Sequence, residues 1–149
     1  MASEKNPVKL FVSHAWESDP DYHRVFEYLE STSNFYYRNL SDPDEKPSAD
    51  EEACKEAMRS QIKEAEAVIL LAGMYDTHRR WLDFQMHAAK AFDKPVIAIQ
   101  PFGGVQTMPE DICDLADEVV EWNERSMVDA ILRQARHEDT QRWEVIDFP

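Results

Sequence analysis

The sequence predicts an α/β domain, a three-layer sandwich in which helices cover both faces of a five-stranded parallel sheet. Short apolar runs alternate along the chain with stretches of helical periodicity. One run, Val68-Ile69-Leu70-Leu71-Ala72-Gly73, carries no polar side chain at all, as a strand covered on both faces requires. The length, 149 residues, suits one domain with one core.

The elements follow in order. Lys9-Leu10-Phe11-Val12 is a buried strand, and Ser13-His14-Ala15-Trp16 is the loop after it. Asp19-Pro20 reads as a helix cap with a first-turn proline, and Tyr22, Val25, Phe26 and Leu29 give the following helix its apolar face. Phe35-Tyr36-Tyr37 is an aromatic strand. Ser41 to Asp50, with two prolines and many charges, is a loop long enough to suggest function. Glu51 to Ala65 is a helix with Cys54, Met58, Ile62 and Ala65 on one side, and it leads into the strand from Val68 to Gly73. A helix around Trp81 comes next, then a buried strand from Pro95 to Ile99 that ends at Pro101 and Gly103-Gly104. Pro109 to Ala116 is a short helix, Glu118 to Trp122 an edge strand, and Ser126 to Arg136 a closing helix. The core spans about 8–133, and 134–149 is a tail whose Val145, Ile146 and Phe148 are expected to pack on the domain or on a second copy.

Composition narrows the function. Sixteen basic and thirty acidic residues give a net charge of −14, which argues against nucleic acid or an anionic membrane as the main partner. An anionic small molecule stays open, since a pocket can be locally positive. Cys54 and Cys113 match no metal or redox spacing, and with no leader sequence or long apolar run the cytoplasm is the expected location. Three glycines leave no dinucleotide fingerprint and no P-loop. His14, His23, His78, His87 and His137 lack zinc spacing, so no metal is expected. No Gly-x-Ser-x-Gly elbow is present. A phospho-receiver would need an acidic pair after the first strand, where this chain has Ser13-His14.

Ligands in such sheets bind outside the carboxyl ends of the strands. Ser13 and His14 are candidates there for a ribose or phosphate, with loop-capping hydrogen bonds as the alternative. Trp16 is a candidate to stack on a flat ring, or simply a rim aromatic on the next helix. Asn39 and Ser41 open the long loop as a lid wall, or as turn residues. His78, Arg79 and Arg80 begin the Trp81 helix, where anions are favoured; exposed solvated charge is the plainer reading. Trp81 reads as a core residue on its helix face, with an edge that lines the pocket as the alternative.

The most informative residue is Gln85. Trp81, Phe84, Ala88, Ala89 and Phe92 mark one helix face, and Gln85 shares it. An amide among core side chains needs hydrogen-bond partners or a cavity to line. Asp83 points off that face and is a poor substitute for a charge at position 85.

Several segments together resemble the TIR-like domains of bacterial anti-phage Thoeris systems. They are Phe11-Val12-Ser13-His14, Asn39-Leu40-Ser41 with Pro43 and Pro47, Gln61 to Ala65 running into Val68 to Gly73, Trp81 to Ala89, Lys94 to Pro101, and Trp122-Asn123 with Ser126 and Ile131. The resemblance spans roughly 8–133 and implies a flavodoxin-like fold. It also implies cleavage of the nicotinamide–ribose bond of NAD, taken as substrate with no resident cofactor. The ADP-ribose part is then cyclised or conjugated into a signal for a partner effector. A phage-derived trigger or self-assembly into a homo-oligomer is the implied activator. In such domains a Trp-x-x-x-Glu helix supplies the catalytic glutamate, and Gln85 stands at its position; the strand-end candidates Ser13, His14, Trp16, Asn39, Ser41 and Trp81 are the expected substrate-binding residues beside it.

Breaking an N-glycosidic bond builds positive charge on the sugar, which a carboxylate stabilises. Glutamine keeps the shape without the charge, so turnover is expected to fall about 100-fold or more, with ligand binding less affected. As the smallest change that removes the charge, it fits a substitution made to silence the enzyme better than a natural non-catalytic relative. Two other readings stand beside this one: a TIR interaction module that works by assembly without turnover, and a nucleoside deoxyribosyltransferase-like enzyme, which exchange of bases on free deoxynucleosides would reveal.

Overall fold

The computed structural model describes residues 3–17, 19–44, 46, 50–103 and 108–137. Five strands run parallel: β1 (Val8–Val12), β2 (Tyr37–Asn39), β3 (Ala67–Leu71), β4 (Val96–Ile99) and β5 (Glu118–Val120), in the spatial order β2-β1-β3-β4-β5. The helices are α1 (Pro20–Glu30), α2 (Glu51–Glu64), α3 (Tyr75–Ala91), α4 (Glu110–Leu115) and α5 (Glu124–Arg136). α1 packs with α5 on one face of the sheet, and α2 with α3 on the other. This is the expected three-layer, flavodoxin-like sandwich.

The causes are local. All five residues of β3 are buried, which its unbroken apolar run required of a central strand. Asp19 caps α1 by accepting from the Asp21 backbone N–H at 2.8 Å, and Pro20 opens the first turn. Asp50 caps α2, and Asn123 caps α5 by accepting from the Ser126 N–H at 2.9 Å. At the far end of α5, Arg136 donates to Glu66 at 3.0 Å and to the Pro7 carbonyl at 3.1 Å, joining the last helix to the entry of β1.

Several bounds differ from their sequence reading: β3 ends at Leu71 and a 3-10 turn follows over Ala72–Met74, β5 ends at Val120 rather than Trp122, and α5 begins at Glu124 rather than Ser126. The second strand lies two residues later, at Tyr37–Asn39, because its ladder with β1 pairs Val8 with Tyr37 and Leu10 with Asn39. Phe35 precedes that ladder and stacks on Tyr37 instead. The Trp81 helix begins at Tyr75 and kinks at His78 (φ −126°, ψ 35°). Its buried face is Leu82, Gln85, Met86, Ala88 and Ala89, while Trp81, Phe84 and Phe92 are only half-buried at its flanks. The tail from Trp143 to Pro149 and the glycine Gly104 lie outside the described residues, as do Glu45 and 47–49 of the long loop.

Among the described residues no helix is long and apolar enough to cross a membrane.

Candidate functional site

Chain direction reverses between β1 and β3: from β1 the chain winds outward to β2, and from β3 it winds the other way to β4 and β5. Carboxyl ends that diverge in this manner leave a crevice. Ser13 closes its floor. Its backbone N–H donates to the Ile69 carbonyl, and its hydroxyl accepts from the Leu71 N–H, both at 2.9 Å. The hydroxyl extends the β1–β3 ladder past the end of β1 and is fully buried. Ser13 therefore positions the site from below, and its oxygen faces the sheet.

His14 follows, also fully buried. The edges of Trp16 and Tyr22 meet its ring, with centroids at 4.6 and 6.4 Å and interplanar angles of 81° and 82°. Its Nδ1 accepts from the Trp16 backbone N–H at 3.4 Å, which assigns the proton of the neutral ring to Nε2. Burial depresses the imidazole to about 4, so the ring is neutral at neutral pH. Trp16 holds a left-handed backbone (φ 64°), a conformation a bulky residue keeps only when its surroundings enforce it. Its indole also meets Trp81, edge to face at 6.5 Å.

Gln85 reaches this cluster from α3. Its Nε2 donates to the backbone carbonyl of His14 at 2.6 Å and lies 3.5 Å from the sulfur of Met58 on α2. Only a donor can face a carbonyl, which fixes the orientation of the amide. Its Oε1 then has no hydrogen-bond partner, and neither do His14 Nε2 and Trp16 Nε1, all three inaccessible to solvent. A buried polar atom without a partner costs about 1–3 kcal/mol. Three such atoms, one acceptor and two donors, are supplied by the β1–α1 loop and by α3.

Asn39 and Ser41 join the cluster through Tyr22, a residue the sequence reading placed only in the α1 core pattern. The Tyr22 hydroxyl is 2.8 Å from Ser41 Oγ and accepts from Asn39 Nδ2 at 3.0 Å, while Asn39 Oδ1 accepts from the Ser41 N–H at 3.0 Å and from its hydroxyl. Burial raises the Tyr22 phenol above its ordinary range, so it stays protonated. Tyr22 thus links the end of β2 to the ring of His14. Amphipathic spacing marks a tyrosine as core and leaves its hydroxyl out; two polar residues ending the neighbouring strand were the available signal.

Other candidates lie apart. Arg80 pairs with Glu51 and is largely exposed, and Arg79 lies over the Tyr75 ring at 4.9 Å. Asp83 accepts from the Tyr75 hydroxyl at 2.7 Å, away from the amide of Gln85. On the α1 side of the same edge, Asp21 pairs with Arg24 and rests against Gly73, where a Cβ would run into its carboxylate. Burial, with Asp19 close by, lifts the Asp21 carboxyl above the usual range. Among the described residues no group of three His, Cys, Asp or Glu side chains could hold a metal. An open cleft of about 640 Å³ between the α1–β2 turn and α5 contains none of the candidate residues.

A parallel sheet of order 2-1-3-4-5, with buried polar groups at its switch point supplied by the β1–α1 loop and by the helix after the central strand, is a flavodoxin-like arrangement compatible with a TIR-like domain. Residues 11–105 match the family described as Thoeris protein ThsB, TIR-like domain, and the chain belongs to that family of anti-phage defence proteins. No curated protein matches it.

Proposed function

We propose that the chain is a TIR enzyme of the NAD-cleaving kind whose turnover is held down by Gln85. The observation that carries this is the set of unpartnered buried atoms, Gln85 Oε1, His14 Nε2 and Trp16 Nε1, at the switch point of a Thoeris-family sheet. In this reading Gln85 Oε1 accepts from a ribose hydroxyl, and the two N–H groups donate to oxygens of the same ligand. Trp16 and Trp81 flank its flat ring, and Asn39 and Ser41 wall the site. The C1′–N bond breaks with its electron pair leaving on nicotinamide. A nucleophile's oxygen or nitrogen then forms the new bond to C1′ and releases its proton. The product is a cyclic or conjugated ADP-ribose signal for a partner effector, made when a phage-derived trigger or self-assembly orders the site in the cytoplasm.

A carboxylate at position 85 would stabilise the cationic sugar in this dry setting; the neutral amide cannot. The test is Gln85→Glu. NAD and nicotinamide are followed in phage-challenged cells carrying either chain, and the glutamate form is expected to consume NAD about 100-fold faster or more. No NAD loss from it under any trigger overturns the reading.

One observation favours a second reading, a non-catalytic interaction module. The 2.6 Å bond from Gln85 to His14 gives the amide a structural task of its own. Under that reading the effector response survives while NAD stays constant with either residue at position 85.

A further inference from the structure

We propose that the amide of Gln85 is a latch that holds the site shut, and that a carboxylate at position 85 cannot hold it. The inference rests on the site assigned above and concerns its regulation. Gln85 donates from α3 to the His14 carbonyl, and that carbonyl belongs to the short segment that also positions the His14 and Trp16 rings. Gln85 and His14 are both fully buried, and the three atoms offered to a ligand are all sealed from solvent. The bond therefore clamps the segment over the groups a ligand would need.

A carboxylate in place of the amide would set two acceptors face to face at 2.6 Å. With no donor between them they repel, and Met58, the other neighbour of the Gln85 nitrogen, is only a weak acceptor. The side chain must then leave the carbonyl. Trp16, whose left-handed backbone lies two residues after that carbonyl and whose N–H is held by His14 Nδ1, can then relax. Residue 85 thus sets access as well as charge. The amide form is closed and resists ligand entry, and apparent affinity falls with the fraction of molecules that are open. A trigger that frees the His14 carbonyl would do for the amide form what a carboxylate does directly.

Hydrogen exchange read by NMR on the full chain, without NAD, tests the latch in Gln85→Glu and Gln85→Met; the second keeps the volume and removes the donor. In both, the Trp16 backbone and indole N–H are expected to exchange about tenfold faster or more, the factor that loss of one hydrogen bond allows. Val68 to Leu71 in β3 are expected to keep their protection. Unchanged Trp16 exchange in a variant with β3 intact overturns the proposal. Should either variant lose β3 protection as well, the unaltered chain decides. Gln85 is the one fully buried glutamine among the described residues, and its side-chain NH₂ is expected to exchange at least about tenfold more slowly than the other glutamines; equal rates overturn the latch. Failure here leaves NAD cleavage standing, and an opened segment without NAD loss would sink only the enzymatic reading.

Discussion

The carboxamide nitrogen of Gln85 lies 2.6 Å from the backbone carbonyl oxygen of His14, joining the helix after the central strand to the loop after the first. Both residues are fully buried, so the bond is shielded from water in the closed form. Gln85→Leu deletes the donor and strands the carbonyl, which costs about 1–3 kcal/mol. For a chain of this length that lowers Tm by about 2–12 °C. Gln85→Glu is expected to lose at least as much as Gln85→Leu at neutral pH, because the carboxylate and the His14 carbonyl repel and the segment that joins them opens. Calorimetry of the three chains checks the ranking, and a glutamate form as stable as the glutamine form would contradict it.

Acid should weaken the fold through His14. Burial lowers its imidazole to about 4 from an ordinary 6.5. Below pH 6.5 the unfolded chain takes up a proton that the folded chain still refuses. The stability this group contributes is thus complete above pH 6.5 and is lost as pH falls towards 4, by about 3 kcal/mol over the window. Urea midpoints measured from pH 7 to 4 should show a steeper decline for the unaltered chain than for His14→Gln. Parallel declines would show that the imidazole is not protected by burial.

Ser13 is expected to matter for stability ahead of ligand contact. Its hydroxyl accepts from the Leu71 N–H in the middle of the sheet. Ser13→Ala leaves that N–H unpaired and should cost about 1–3 kcal/mol, read by denaturant unfolding. Ser13→Thr, which keeps the oxygen, should recover most of the loss if the neighbouring side chains admit a methyl group. Wild-type stability in the alanine form would contradict the role assigned to this hydroxyl.

Gly73 and Asp21 are predicted to be coupled. A methyl group on Gly73 meets the Asp21 carboxylate, which is held by Arg24. Gly73→Ala should therefore destabilise the chain in the presence of Asp21 and much less in an Asp21→Ala background. A double-mutant cycle is expected to give a coupling of about 0.5–3 kcal/mol. Additive effects would show that the carboxylate moves aside freely.

Much of the fold was legible in the sequence, for identifiable reasons. The apolar run that begins at Val68 reads as a central strand, and Asp19-Pro20 marks a helix start that the structure keeps; the closing helix starts at Glu124, two residues before Ser126, with Asn123 as its cap. The second strand was misplaced because Phe35 and Tyr36 suit a strand as well as Arg38 and Asn39 do; pairing with β1, a tertiary fact, decides the register. On α3, Gln85, Ala88 and Ala89 lie on the buried face as expected, but Leu82 and Met86 take the places expected for Trp81 and Phe84. Trp81 and Phe84 outweigh Leu82 and Met86 in bulk, yet the smaller side chains fit under the sheet. In the site, His14 and Trp16 follow from their place at the carboxyl end of the first strand, and Gln85 joins them through the resemblance to the Trp-x-x-x-Glu helix. The direction of the Ser13 hydroxyl, the bridging hydroxyl of Tyr22 and the backbone partner of Gln85 did not, because each depends on an atom that a residue pattern does not encode.

The measurement closest to the central claim is a crystal structure of the Gln85→Glu form with a non-cleavable carbocyclic analogue of NAD. The account predicts the nicotinamide-side sugar against residue 85, with its C1′ beside the carboxylate and its oxygens within hydrogen-bond distance of His14 Nε2 and Trp16 Nε1. An analogue bound elsewhere, such as in the cleft beside α5, with the His14 segment still closed over residue 85, would contradict it.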